Sequence, residues 1–355
     1  MVGGAIRLLR ATWYILARLP VDLAAPWRHP VPNRALVFAL LLSASLAPLA
    51  RAADPPAVEE GVRLFRLSRY DEARAALTPV ATTSPANGTA LLYLGRIALV
   101  KDDPKEAQRW FEAAVALDDH SAIAHMWLGR AYGSQASKVG KLSQIGLAKK
   151  VKKEFERAVE LDPNNLDARD DLITYYLQAP GMMGGSVSKA KEVAAEIEKR
   201  DPLRGALAYA AVAQDQKDFP EAERHYRSAI ASYPESLSVR YALGIFFARG
   251  EKYDEAFAVF DSILAAKPEE MNARYQIGRT GALSGKRLDR AEQELKTYLA
   301  APPRENGPRP AAAHWRLGMV YEKQGRKDVA AEEYRASLAL EPEFAEAKKS
   351  LAKLK

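Results

Sequence analysis

From Asp54 onward the chain offers few groups that could do chemistry: four histidines, acidic pairs such as Asp170-Asp171 and Glu269-Glu270, one glycine-rich run and one lysine cluster. His120 and His125 are five residues apart, which misses the i, i+4 spacing that sets two imidazoles on one helical face for a metal. No acidic stretch is expected to join them, and His225 and His314 stand alone. Asp170 with Asp171, and Glu269 with Glu270, read as helix starts, where acids suit the helix dipole. Gly181-Met182-Met183-Gly184-Gly185-Ser186, with Lys189 beyond, invites a phosphate loop but lacks the G-x-x-x-x-G-K-[ST] spacing. A turn over Pro180 to Gly185, with Ser186 or Ser188 capping the next helix, explains the same residues. We therefore expect no catalytic residue, no metal and no cofactor. Lys149, Lys150, Lys152 and Lys153, near Lys138 and Lys141, form the densest basic patch. Its plain reading is a solvated helix face, and its alternative a contact with an acidic partner, lipid headgroup or polyanion.

Composition narrows the classes further. The 355 residues carry 52 basic and 45 acidic side chains, a balance of +7. Six of the bases, Arg7, Arg10, Arg18, Arg28, Arg34 and Arg51, lie in the first 52 residues against the single acid Asp22. The remainder holds 46 bases and 44 acids, so its balance of +2 gives no concentrated basic face for nucleic acid. Cysteine is absent, which excludes disulfides, thiolate catalysis, Cys-ligated zinc and a lipid anchor on an N-terminal cysteine.

The elements that would position any site come from a repeat. Gly61, Gly95 and Gly129 are 34 residues apart, and so are Ala210, Gly244 and Gly278. A second small residue recurs as Ala73, Ala107, Ala190, Ala222, Ala256, Ala291 and Ala330, and a closing proline as Pro85, Pro163, Pro202, Pro234, Pro268, Pro303 and Pro342. Small residues let two helices approach, aromatics such as Phe111, Phe155, Tyr226, Phe260 and Tyr334 fill the wider gaps, and proline ends each unit. Leu128-Gly129 with Tyr132 spells L-G-x-x-Y, and Phe155, Ala158 and Pro163 spell F-x-x-A-x-x-x-x-P. In these motifs the chain resembles the tetratricopeptide repeat family.

That resemblance implies an all-α, right-handed α-solenoid of about eight helix-turn-helix units over residues 53–344. We place them at 54–87, 88–121, 122–165, 166–202, 203–236, 237–270, 271–304 and 311–344, with 345–355 as a C-terminal capping helix. HMWLGRAYG, AKKVKKEFERAVELDPNN and YYLQAPGMMGGSVSKA look like the middle of exported bacterial repeat proteins, and the same middle is faintly similar to regulators of microtubule dynamics. Three departures interrupt the period: ten extra residues between Tyr132 and Val151, five between Tyr176 and Ala190, and the connection APPRENGPRP. The first two should be neighbours, because both fall between the two helices of a unit.

Relatives bind partners in an inner groove lined by the second, fifth, ninth and twelfth places of each first helix. Carried onto this sequence, those places give Arg96, Ile123, Met126 and Arg130 in the N-terminal half, and Tyr241, Tyr275, Arg279, Trp315 and Met319 in the C-terminal half. The chaperone-binding carboxylate clamp wants Asn at the ninth place, where Arg96 and Arg130 stand, so that ligand is not carried over. Before the repeats, Ala35 to Ala50 is a 16-residue apolar run followed by Ala50-Arg51-Ala52, a small-x-small cleavage signal. Residues 1–52 read as an N-terminal extension and signal peptide, cleaved near Ala52, which implies a periplasmic or secreted protein. The alternative is an inner-membrane anchor, and only such an uncleaved N-terminus would touch membrane.

The expected function is a non-catalytic scaffold of the bacterial envelope that holds a protein or peptide segment in its concave groove. The rivals are an enzyme or polymer-handling accessory using the glycine-rich insert 179–186, with Gly184 and Gly185, and the lysine patch 149–153, or a tethered subunit of an envelope complex.

Overall fold

Glycine facing an aromatic is the local rule from which the architecture follows. A Cβ added at Gly129 would lie 2.6 Å from the Phe155 ring, and one at Gly244 would lie 2.5 Å from Phe260. Gly61 meets Leu77, Gly95 meets Phe111, Gly278 meets Leu295 and Gly318 meets Tyr334 in the same way. Each pair joins the first and second helices of one unit, so the missing Cβ sets how closely those helices cross. The fourth unit reverses the volumes: Ile173 stands at the glycine place and Ala194 at the aromatic place, and both are buried.

The structure is a computed structural model that describes residues 54–83, 87–303 and 307–354. The signal-like segment 1–52 lies outside the described residues. The first four units pair α1 (Pro56–Arg66) with α2 (Tyr70–Thr82), α3 (Gly88–Val100) with α4 (Pro104–Leu117), α5 (Ala122–Ala136) with α6 (Lys141–Leu161), and α7 (Leu166–Gln178) with α8 (Val187–Glu198). The next four pair α9 (Pro202–Asp215) with α10 (Phe219–Ser232), α11 (Leu237–Arg249) with α12 (Tyr253–Ala266), α13 (Met271–Ser284) with α14 (Leu288–Ala300), and α15 (Pro310–Lys323) with α16 (Lys327–Leu340). The last helix, α17 (Ala345–Lys353), packs on α16. All the described regular structure is helical, and no helix among these residues is long and apolar enough to cross a membrane.

Local chemistry starts and turns these helices. The side chains of Asn87, Asp103, Ser121, Asn165, Asp201 and Asp218 each accept a bond from a backbone N–H in the first turn of the helix that follows. Between most paired helices the chain turns through a left-handed residue, at Ser68, Asp102, Lys217, Glu251 and Gly325, and through two, Gly285 and Arg287, in the seventh unit. Successive helices pack in chain order, and most first helices also touch the next first helix: α1 on α3, α3 on α5, α7 on α9, α11 on α13 and α13 on α15. Second helices of neighbouring units share no comparable contact among the described residues. First helices therefore form the crowded inner side of the array and second helices its splayed outer side.

The ten extra residues of the third unit are mostly built as helix. α6 runs for 21 residues, where the other second helices have 12 to 14. The five extra residues of the fourth unit form a short 3-10 turn, Gly181–Met183, which rests on α6.

Gly95→Leu is expected to destabilise the chain by about 1 to 3 kcal/mol through overpacking against Phe111. Adding Phe111→Ala should recover part of that loss by copying the Ile173 and Ala194 arrangement, and urea titrations of both variants measure it.

Candidate functional site

The inner side of the N-terminal half is a stack of cations and rings. The Arg96 guanidinium lies 4.6 Å from the Phe65 ring, 4.4 Å from Tyr93 and 4.9 Å from Trp127. Trp127 also takes Arg130 at 4.5 Å and stacks on Phe111 with ring centres 5.9 Å apart. Arg130 Nε then donates to Asp171 Oδ2 at 2.7 Å, and both side chains are buried. Burial pushes the Asp171 carboxyl up to about 6, against the pull of Arg130. Asp170 pairs with Arg204 at 2.6 Å, and burial holds its carboxyl above the usual carboxylate range as well. Arginine and ring contacts thus run from the first unit to the third, and the ion pairs Arg130 with Asp171 and Arg204 with Asp170 carry on from the third to the fifth.

The C-terminal half is organised differently. Trp315 donates from Nε1 to Ser350 Oγ at 3.0 Å and meets Phe344 edge-on. Arg316 lies over the Trp315 ring at 4.0 Å, with Nη1 3.3 Å from Met319 Sδ. Tyr241 faces Phe260, and burial raises its phenol with help from the nearby Glu270. Arg279 donates only a long 3.4 Å bond to Gln276, and no carboxylate lies within 4.0 Å of Arg249, Arg279 or Arg316 among the described residues. Burial lowers the guanidinium values of Arg249 and Arg316, and the charge of Arg279 lowers both further.

The two inserts meet on one side of α6. Gly133, Ala136 and Ser137 of the third unit face Tyr175, Gln178, Pro180 and Met183 of the fourth across a mainly apolar cavity of about 70 Å³, with Val151 and Ala148 as its floor. Tyr175 donates its hydroxyl to the Met183 carbonyl, Gly184 adopts φ +95°, and a Cβ at Gly185 would collide with the Ala179 carbonyl. Ser186 caps α8. Lys150 lies over Tyr132, Lys152 pairs with Glu156 at 3.5 Å, and Lys149 and Lys153 are exposed. Gly184 lies beside the Lys152 side chain, whose ammonium group is committed to Glu156.

With this geometry in view, the chain can be set beside known proteins. Tetratricopeptide repeat family models match residues 58–122, 206–270 and 311–344. The chain is a tetratricopeptide repeat protein. Among solved structures it is similar to a thermophilic repeat protein of Thermus thermophilus, at 19% identity and TM-score 0.46 over 54% of this chain and 97% of that one. A repeat protein of Parabacteroides merdae gives 15% identity and TM-score 0.44 over 84% and 96%. YrrB, described as a repeat protein with an unusual peptide-binding site, gives 16% identity and TM-score 0.35 over 68% and 96%. No curated protein matches the sequence.

In this tetratricopeptide array several sequence expectations need correction. Met126, Tyr275 and Arg130 are only 1%, 8% and 9% exposed, so they cannot serve as open groove contacts. The next first helix covers these places as the units stack, and Arg130 is committed to Asp171. Asp170 and Asp171 are not dipole-complementing residues at a helix start but ion-pair partners of Arg204 and Arg130 inside α7, Asp171 buried and Asp170 half-buried; Glu270 alone caps, at the start of α13. Arg96 is held between rings, whereas Tyr241, Arg279, Trp315 and Met319 remain partly exposed. Sequence reasoning misses Arg249 and Arg316 because they stand at the thirteenth and sixth places of their units. The available signal for them is the arginine content of three successive first helices. His125 is bonded to Glu154 at 2.6 Å and His314 to Glu333 at 2.7 Å, which are packing roles. Asp118, Asp119 and His120 do bring ligand atoms within 4.8 Å of one another, at an exposed turn.

Arg130→Leu is expected to destabilise the array by about 3 to 5 kcal/mol by stranding Asp171, and the double change with Asp171→Leu should recover most of it. The Asp171 carboxyl in the intact chain should titrate near pH 6 by carbon NMR. Because that value lies above the unfolded one, the folded chain holds the extra proton. The contribution of this group then favours folding at low pH and is lost as pH rises from about 4 to about 6.

Proposed function

We propose that the chain is an exported, non-catalytic scaffold that holds a segment of a partner protein on its inner side, chiefly along the last three units. The observation that carries this reading is the contrast between the two halves. The N-terminal inner side is closed by matched charges and stacked rings. The C-terminal inner side leaves Tyr241, Arg279, Trp315 and Met319 partly exposed, with no carboxylate paired to Arg249, Arg279 or Arg316 among the described residues. Aromatics, methionine and arginine are the side chains that carry binding energy at protein interfaces, because they combine large contact area with directed polar groups. Repeat arrays of this family commonly bind proteins or peptides, which supports the same reading.

The place of action in this proposal is the bacterial envelope, reached through the signal-like segment ending near Ala52. Its support is the 16-residue apolar run, short for a span of about 20, followed by a small-x-small site. Amino-terminal sequencing of the protein recovered from cells is expected to begin at Ala53. Recovery of residues 1–30 on the mature chain from the membrane fraction would favour the anchored alternative.

The groove assignment is tested with photo-crosslinking residues. Placed at Gln276 or Met319 they are expected to give partner adducts in living cells, while the same probe at Ala258, exposed on α12, should give few. Equal labelling from Ala258 would count against the groove.

A further inference from the structure

Most arginines of this array have a carboxylate of their own. Arg74 pairs with Glu106, Arg130 with Asp171, Arg204 with Asp170, Arg274 with Glu294 and Arg309 with Glu341, and each pair links separate helices. Arg249, Arg279 and Arg316 depart from this pattern together. Arg249 ends α11, Arg279 sits just past the middle of α13 and Arg316 just before the middle of α15, on first helices that pack in sequence. Their places form a diagonal across the inner side. Arg279 lies close enough to repel both of the others, and what opposes this at Arg316 is the Tyr275 hydroxyl and, more weakly, Glu346 of α17 rather than a paired carboxylate. Arg249 is exposed and the other two are partly exposed, so a ligand can reach all three.

Three like charges gathered in partly desolvated surroundings raise the free energy of the empty array. Compensation within the array is thin: Arg316 has the Trp315 ring, the Met319 sulfur and the Tyr275 hydroxyl, but Arg249 has no hydrogen-bond or ion-pair partner among the described residues and Arg279 only a weak one. A local arrangement that works against stability is the signature of a site completed from outside. We propose that Arg249, Arg279 and Arg316 form a track that reads the carboxylates of an acidic internal segment of a partner protein, laid extended across α11, α13 and α15. This rests on the groove reading above and adds the chemistry of the occupant. Packed helices lie about 8 to 10 Å apart and an extended chain rises about 3.3 Å per residue, so Asp or Glu should recur about every third residue. A single terminal carboxylate would satisfy one guanidinium and leave the others unmatched. Between the acids, apolar side chains would meet Tyr241, Trp315 and Met319.

The test pans a library of random 12-residue peptides, displayed with both ends joined to carrier, against the full chain. Selected peptides are expected to be rich in Asp and Glu at about three-residue spacing, and to bind more weakly as salt rises. Arg279→Gln should weaken binding about tenfold or more while raising the melting temperature by about 1 to 3 °C, because repulsion is relieved. Arg279→Lys should restore part of the affinity. A merely structural arginine would lower the melting temperature instead.

Peptides without acidic enrichment that depend on Trp315 and Tyr241 but not on the three arginines would overturn the track and leave the groove reading standing. Peptides indifferent to every one of these residues would overturn both. A library giving no binder with preference for the natural chain over the triple glutamine variant would also overturn the track. So would a single-stranded DNA probe that binds the three arginines in preference to the selected peptides.

Discussion

The close approach of two helices across a missing Cβ is the constraint on which this molecule depends. At Gly61, Gly95, Gly129, Gly244, Gly278 and Gly318 the ring or branched side chain of the second helix occupies the space where a Cβ would be. That contact fixes the crossing within a unit, and the alanines Ala73, Ala107, Ala222, Ala256, Ala291 and Ala330, all fully buried, bring the second helix up to it. Once the unit is fixed, stacking copies it along the chain, and first helices come to lie inside. The fourth unit makes the same fit with the volumes exchanged, Ile173 for glycine and Ala194 for the aromatic. What is maintained is the sum of volumes across the crossing rather than a particular residue.

Placing the first helices inside gives their side chains two possible fates, and the halves of the array differ in which they take. Arg96 and Arg130 are drawn into rings and an ion pair, so the inner side there acts as a spine. Cation and ring contacts of this kind add about 0.5 to 2 kcal/mol each as they lose solvent. From α11 onward the acids that would match the arginines are turned elsewhere: Glu294 takes Arg274, and Glu292 takes Lys296 and Arg326. The unmatched cations are a consequence of where the acids went, not of an excess of basic residues.

The fold was legible because its period was. Small residues and prolines at 34-residue intervals mark helix pairing without any knowledge of contacts. Insert lengths could also be counted, but not their form. Residues 147–161 continue as helix because, past Gly146, the run LAKKVKKEFERAVEL holds neither glycine nor proline and is rich in strong helix formers. The groove was only partly legible. Whether an inner side chain stays open depends on how far each unit rotates against the next, and that angle is set by packing between units. Met126 and Tyr275 sit at nominal groove places yet are covered, while Arg249 and Arg316, at places not counted as groove, face the same side as Arg279.

The inserts sharpen the contrast between the halves. They fall in the third and fourth units, where the lengthened α6 supports the glycine turn and the Tyr175 hydroxyl ties that turn to α7. Their interface is mainly apolar and leaves a cavity of about 70 Å³, room for a few waters or a small apolar group. Gly184 takes the left-handed turn at no steric cost, and Gly185 passes so close to the Ala179 carbonyl that no Cβ fits. The residues that first invited a phosphate reading therefore brace the middle of the array, next to the buried Arg130 and Asp171 pair. A braced middle leaves recognition to the end of the array, where the inner side chains still lack partners.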